Sequence, residues 1–170
     1  SAPLKKNYAD EFRGEIIVDA NDNCWVTTTT LSPDFPVVGA AQNSYSGMQD
    51  AIAFKFNSDL SSLLWSTYHG GTNDDAGYSI QLNSSNEPII AGGTMSTDLF
   101  TSASAINSSN SGNQDGFIAK FNSTGNTINA ATYIGTASYD QCYFIQTDLN
   151  DNIYVFGQTE GVYPITPLTT

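Results

Sequence analysis

An internal repeat of about 65 residues constrains the fold of this chain more than any other feature. The segment Asp50–Asn57 (DAIAFKFN) returns 65 positions later, without a gap, as Asp115–Asn122 (DGFIAKFN). The same spacing relates Ser66–Gly71 (STYHGG) to Ala131–Thr136 (ATYIGT). A period of this length is typical of arrays in which one supersecondary unit is copied along the chain.

A third segment extends the repeat over three copies. Tyr78–Asn83 (YSIQLN) corresponds to Tyr143–Asp148 (YFIQTD) at the same shift and, 64 positions earlier, to Gly14–Asp19 (GEIIVD). The repeat predicts a complete first unit at residues 10–73, a complete second unit at 74–138, and the first half of a third at 139–170.

In each unit the sequence predicts four short strands, because apolar and polar residues alternate between polar turns and no helical periodicity is found. The first strands are predicted at Glu15–Val18, Ser79–Leu82 and Phe144–Thr147, and the second at Trp25–Thr28, Ile89–Gly92 and Tyr154–Gly157. The third strands are predicted around Ile52–Phe56 and Phe117–Phe121, and the fourth at Leu63–Tyr68 and Ile128–Tyr133.

Four-stranded antiparallel sheets of this kind cannot bury both faces alone and must stack on one another. Radial stacking of such sheets forms a propeller. The sequence therefore predicts an all-β fold of β-propeller blades, present here as a partial propeller. A solenoid-like stack and a two-sheet sandwich are the alternatives.

Several spaced elements resemble the SBBP β-propeller repeat of bacterial exported proteins. They are Asp-x-x-x-x-Lys-Phe-Asn at Asp50–Asn57, Ser-Thr-Tyr-x-Gly-Gly at Ser66–Gly71, and Ile-x-x-Gly-x-Thr at Ile89–Thr94. The resemblance runs from about Asp10 to Thr159. It implies an extracellular or outer-surface protein, similar to those of Bacteroidetes that accompany type IX secretion or gliding motility.

The charge balance limits the partners of the chain. Seventeen acidic residues against five basic ones give a formal net charge of −12, which repels phosphate backbones and anionic lipid surfaces. No run approaches the roughly 20 apolar residues that span a bilayer. We therefore expect a protein or glycan partner, no nucleic acid and no membrane insertion.

Two turns open like a calcium-binding loop, since both read Asp-x-Asn-x-Asn. The candidate ligands are Asp19, Asn21 and Asn23 in the first turn, and Asp148, Asn150 and Asn152 in the second. Neither turn has glycine at position six or glutamate at position twelve of such a loop. Asn and Asp also tolerate tight hairpin turns, so calcium and a purely structural turn both remain open. No other cofactor is predicted.

Acidic residues recur where one unit meets the next, at Asp10-Glu11, Asp74-Asp75 and Asp140. This periodicity favours a structural duty, such as accepting backbone N–H bonds in loops, and Asp50 and Asp115 have the same interpretation. The alternative is a hydrolase or lyase with central-channel carboxylates, which requires two unequal carboxyl environments around one cleft.

Other reactive residues define no catalytic set. His69 is the sole histidine and stands where the next copy has Ile134, which favours an edge or loop position. Cys24 and Cys142 fall in the first and third copies, so we expect them to be small buried residues without a mutual disulfide. Trp25 and Trp65 lie on predicted strands, where a core role is favoured over carbohydrate stacking.

These observations predict a non-enzymatic secreted or cell-surface module for adhesion or interaction. Its long loops, Leu31–Gln49 and Met95–Gln114, are expected to present the contacts. Besides the hydrolase or lyase, the alternative is a structural spacer or cargo portion of a larger assembly. Two and a half units cannot close a ring, so we expect a longer chain or other copies to supply the remaining blades.

Overall fold

The computed structural model describes residues 13–163, and all regular secondary structure in this range is β-strand. The strands are β1 (Glu15–Val18), β2 (Cys24–Thr30), β3 (Asp50–Phe56), β4 (Leu63–His69), β5 (Asp75–Leu82), β6 (Pro88–Thr94), β7 (Asp115–Phe121), β8 (Ile128–Ile134), β9 (Asp140–Thr147) and β10 (Ile153–Thr159). No described residue belongs to a helix, so no described segment is a candidate membrane-spanning helix.

The strands form three sheets of simple meander topology. Blade 1 has the order β1-β2-β3-β4, blade 2 has the order β5-β6-β7-β8, and half-blade 3 consists of β9 paired with β10. All of these pairings are antiparallel. The predicted all-β fold of four-stranded antiparallel sheets is confirmed, and the described sheets form no closed ring.

The first strands of blade 2 and half-blade 3, β5 and β9, begin four residues earlier than the sequence predicts. The Asp75 N–H donates to the carbonyl of Gln49 at 2.7 Å, and the Asp140 N–H donates to the carbonyl of Gln114 at 3.0 Å. These bonds cross from one blade to the next, so contact with the preceding blade extends β5 and β9 beyond the part that alternates in sequence.

The inner strands of the three blades are joined by side-chain hydrogen bonds. Glu15 Oε2 accepts from Ser79 Oγ at 2.5 Å and from the Ile80 N–H at 2.7 Å. Ser79 Oγ in turn accepts from the Ile145 N–H at 3.0 Å. The blades are therefore held together by polar contacts as well as by packing.

The short hairpin turns lie at one end of the blades and contain left-handed residues. Asp22, Asn86 and Asp151 occupy equivalent positions of the first turn in each copy, with φ of 60°, 57° and 62°. Asn and Asp reach this region more easily than other non-glycine residues. At the β3–β4 turn the left-handed residue is Leu60, where the second copy has Gly125.

The two long loops fold back over the outer strand of their own blade. Tyr68 of β4 accepts from the Phe35 N–H at 3.0 Å and donates to the Ser32 carbonyl at 3.0 Å. Its counterpart Tyr133 of β8 accepts from the Leu99 N–H at 2.9 Å. The tyrosine of the repeated Thr-Tyr pair thus anchors each loop, and the loop covers an edge that could otherwise pair with another chain.

The interface between blade 1 and blade 2, here called the closed seam, holds most of the core. Trp65 lies 5.7 Å from Phe121 and 5.6 Å from Trp25, and His69 lies 5.0 Å from Phe117, measured between ring centroids. All five side chains are buried. The predicted core role of the two tryptophans is confirmed, and such burial contributes about 2 kcal/mol or more per large side chain.

Candidate functional site

Four aspartates at the seams are buried and share one hydrogen-bond pattern. Each accepts a bond through Oδ2 from the backbone N–H of the residue four positions earlier. The donors are Ser46 to Asp50 (2.9 Å), Gly71 to Asp75 (2.7 Å), Ser111 to Asp115 (2.8 Å) and Thr136 to Asp140 (2.6 Å). The prediction that these carboxyl groups support loop backbone is confirmed. Asp10 and Glu11, predicted to act in the same way, lie outside the described residues.

Burial changes the acidity of three of these groups. It raises the pKa of Asp50 and of Asp75 to about 7, and the pKa of Asp115 to about 6. The charge of Asp50 on the preceding blade further raises the pKa of Asp75, and the charge of Asp140 does the same for Asp115. Each seam therefore pairs carboxyl groups from two successive repeats.

A glycine that recurs with the repeat makes room for two of these carboxyl groups. A Cβ atom on Gly70 would overlap the carboxyl group of Asp50, and one on Gly135 would overlap that of Asp115. In both aspartates, Oδ1 is the oxygen without a hydrogen-bond donor among the described residues. In each aspartate Oδ1 lies against the glycine, so the backbone of the following loop fills the space beside this oxygen.

The hydrolase alternative requires carboxyl groups from different copies to meet at a cleft. The seams do bring such carboxyl groups together, and burial raises the pKa of Asp50, Asp75 and Asp115. Asp50, Asp75 and Asp115, however, have no solvent-exposed surface. Asp140, which is 2% exposed, contributes to the wall of a surface cavity. The contacts of these four aspartates fit a buried structural role better than a pair of catalytic carboxyl groups arranged around a substrate.

The first candidate calcium turn directs its carboxylate to donors of its own blade. Asp19 Oδ1 accepts from the backbone N–H groups of Asn21 and Asn23, at 2.9 and 3.0 Å. Asp19 Oδ2 accepts from Trp25 Nε1 at 3.0 Å and lies 3.1 Å from Lys55 Nζ. Although burial alone would raise it, these hydrogen bonds hold the pKa of Asp19 well below its usual range.

The second candidate turn repeats this arrangement without the lysine. Asp148 Oδ1 accepts from the N–H groups of Asn150 and Asn152, at 2.8 and 2.9 Å, and Oδ2 accepts from Tyr154 at 3.2 Å. In the described part of the chain, no three His, Cys, Asp or Glu side chains form a group that could hold a metal ion. Calcium at the two turns stays a prediction, and the contacts favour the structural turn.

The histidine and the two cysteines differ in burial and in surroundings. His69 ends the edge strand β4, where burial lowers its pKa to about 4 and keeps the imidazole neutral. Cys24 and Cys142 form no disulfide, as predicted. Cys142 is buried, with its pKa raised to about 12, whereas Cys24 is only half-buried, contrary to the prediction that both cysteines are buried.

A groove lies between blade 2 and half-blade 3, and we call it the open seam. It contains two adjoining cavities of about 410 and 350 Å³, which share Ile134 and Val155 in their walls. Ile118, Ala130 and Ile153 line the larger cavity, and Cys142 lines the smaller. The sequence analysis did not identify this groove.

The family model of the SBBP beta-propeller repeat matches residues 131–164. The match runs from within β8 through half-blade 3, across the open seam. No curated protein matches the chain. The match covers 34 of the 170 residues, and together with the four-stranded antiparallel sheets it supports a fold of β-propeller blades.

Proposed function

We propose that this module is a non-enzymatic, secreted or cell-surface protein that binds a protein or glycan partner through its two long loops. The observation that carries the proposal is that these loops are anchored yet leave large apolar side chains in solvent. In the first loop Leu31 and Met48 are 72% and 69% exposed, and in the second Phe100 and Ile106 are 54% and 78% exposed.

The anchoring supports binding because it limits the entropy lost when a partner docks. In the second loop, Thr132 Oγ1 accepts from the Asn107 N–H at 3.0 Å, and Ser102 donates its N–H to the Ala131 carbonyl at 3.0 Å. The Asp115 carboxyl group holds the end of the loop through Ser111. Phe100 and Ile106 are thus displayed from a fixed backbone, as in binding loops carried by a rigid scaffold.

Location outside the cell is supported by the resemblance to the repeat of exported proteins. The acidic surface further favours partners other than nucleic acid and anionic membrane. Protease treatment of intact source cells tests the location. We expect the protein to be degraded at the surface or recovered from the medium, and recovery only from the interior of the cells would contradict the proposal.

The loop proposal is tested with a double variant, Phe100→Ser with Ile106→Ser, on a glycan array and against purified surface proteins of the source organism. The matched control is Leu149→Ser, which removes a fully exposed apolar side chain from the opposite end of the blades. We expect the double variant to lose binding at least about tenfold at an unchanged Tm, because hot-spot side chains dominate affinity. Equal binding by the double variant and the control would refute the role of the loop.

A further inference from the structure

The repeat allows the open seam to be compared, position by position, with the closed seam. His69, Trp65 and Ala53 of blade 1 correspond to Ile134, Ala130 and Ile118 of blade 2, each 65 residues later. In the closed seam, Phe117 of β7 lies against His69, and Phe121 of β7 lies against Trp65. In the open seam, Ile134, Ala130 and Ile118 line the groove instead. The groove is therefore at the position that β7 occupies in the closed seam.

The strand edge beside the groove shows the same contrast. β6 pairs with β5 on one side and with β7 on the other, and all seven of its residues are buried. β10 pairs with β9 alone among the described strands, and all seven of its residues are exposed. On its other edge β10 pairs with no described strand, so its backbone donors and acceptors there can pair with a third strand, as in β-strand addition.

We propose that the open seam is an acceptor site for a β-hairpin with the sequence pattern of β7–β8. Its first strand would pair antiparallel with β10, and two aromatic side chains four residues apart would enter the groove. The cavities have the few-hundred-Å³ size typical of specific binding sites. The site adjoins the second long loop, since Ala105 and Ile106 also line the larger cavity, but it includes neither Phe100 nor the first loop.

The register of the hairpin follows from the complete blade. Ile90 of β6 lies opposite Ala119 of β7, and Ala91 lies opposite Ile118. Val155 is the counterpart of Ile90 and lines both cavities. A docked hairpin would therefore place its equivalent of Ala119 opposite Val155, with its two aromatic residues on either side.

Charge favours a hairpin over a second copy of the whole chain. Two copies, each with a formal net charge of −12, repel one another. Residues 111–134, which span β7–β8, contain one acidic residue, Asp115, and one basic residue, Lys120, and are formally neutral. Such a hairpin approaches the acidic chain without that repulsion.

The test adds a fluorescent peptide of residues 111–134 to the intact chain and follows its anisotropy. We expect saturable one-to-one binding that weakens at least tenfold in Val155→Arg, which fills the groove with a charged side chain. The matched control is Val18→Arg, which changes an exposed strand residue of blade 1. In the peptide, Phe117→Ala with Phe121→Ala should abolish binding, and Lys120→Ala should change it less than twofold.

Disulfide trapping gives a second, register-specific measurement. In a Cys24→Ser and Cys142→Ser background, Val155→Cys should cross-link to an Ala119→Cys peptide faster than Tyr154→Cys does. Peptide binding that is absent, or equal in Val155→Arg and Val18→Arg, overturns the proposal. Self-association of the chain through Val155 overturns it in favour of a second copy. The single variant Phe100→Ser, whose side chain lines neither cavity, should bind the peptide normally, which separates this site from the loop function.

Discussion

Strands β6 and β10 occupy the same place in the repeat but have opposite surroundings. Both are mostly apolar (PIIAGGT and IYVFGQT), yet every residue of β6 is buried and every residue of β10 is exposed. β6 lies between β5 and β7 in its sheet and contacts β9 of the next sheet, whereas β9 is the one described strand that pairs with β10. Burial of a strand in such an array is therefore decided by its neighbours, as expected when each repeat contacts only the next.

The largest difference between the seams should appear on truncating an apolar side chain to alanine. Phe121→Ala opens a cavity beside Trp65 in the closed seam and should lower the free energy of unfolding by about 3–5 kcal/mol. Val155→Ala shortens a side chain that is 40% exposed in the wall of the open seam and should cost no more than about 1 kcal/mol. Urea denaturation measures both, and a similar loss in the two variants would contradict the contrast between the seams.

The glycines beside the buried carboxyl groups should give the next largest effect. Gly70→Ala and Gly135→Ala each push a Cβ atom into a buried aspartate and should cost about 2 kcal/mol. Equal losses of stability in the two variants would show that the packing of glycine against the carboxyl group does not need a complete neighbouring blade. In an Asp50→Ala background Gly70→Ala should be nearly neutral, and a full cost there would rule out the carboxyl group as the cause.

The buried carboxyl groups also predict how stability depends on pH. Asp50, Asp75 and Asp115 have folded-state pKa values of about 6–7, above the 3.8 of an exposed aspartate. The unfolded chain therefore loses these protons first, and stability falls as pH rises from about 4 to 7.

His69 acts in the opposite direction. Its folded-state pKa of about 4 lies below its ordinary 6.5, so its contribution is lost as pH falls from about 6.5 towards 4. Three carboxyl groups outweigh one imidazole, and we expect a higher urea midpoint at pH 5 than at pH 8. Asp75→Asn should reduce the difference. Greater stability at pH 8 would contradict the raised pKa values of the three buried aspartates.

The smallest effect is expected at the two hairpin turns. Asp19 is paired with Lys55, whereas Asp148 contacts only donors of its own turn and strand among the contacts described. If both are structural turns, a chelator should leave the Tm unchanged. A calcium-dependent rise in Tm that Asp148→Asn removes would establish the metal site at the second turn instead.

The repeat predicted most of the fold, because the turns and alternating residues that define the strands recur with it. It did not predict the early starts of β5 and β9, which depend on bonds from Gln49 and Gln114 of the preceding blade. The coupling of Asp50 to Gly70 could have been found, because Asp115 and Gly135 repeat the pair at the same spacing. The open seam could not have been predicted from the sequence, because its cavities arise from how two sheets stack.

Hydrogen exchange in the intact chain measures whether β6 and β10 differ in protection as their neighbours predict. Amides of β6 bonded to β5 and β7 should exchange only through global unfolding, whereas β10 amides on its free edge should exchange orders of magnitude faster. Adding the 111–134 peptide should slow exchange in β10 and leave β6 unchanged. Protection of β10 equal to that of β6 without any peptide would show that the seam is already covered and would contradict the account.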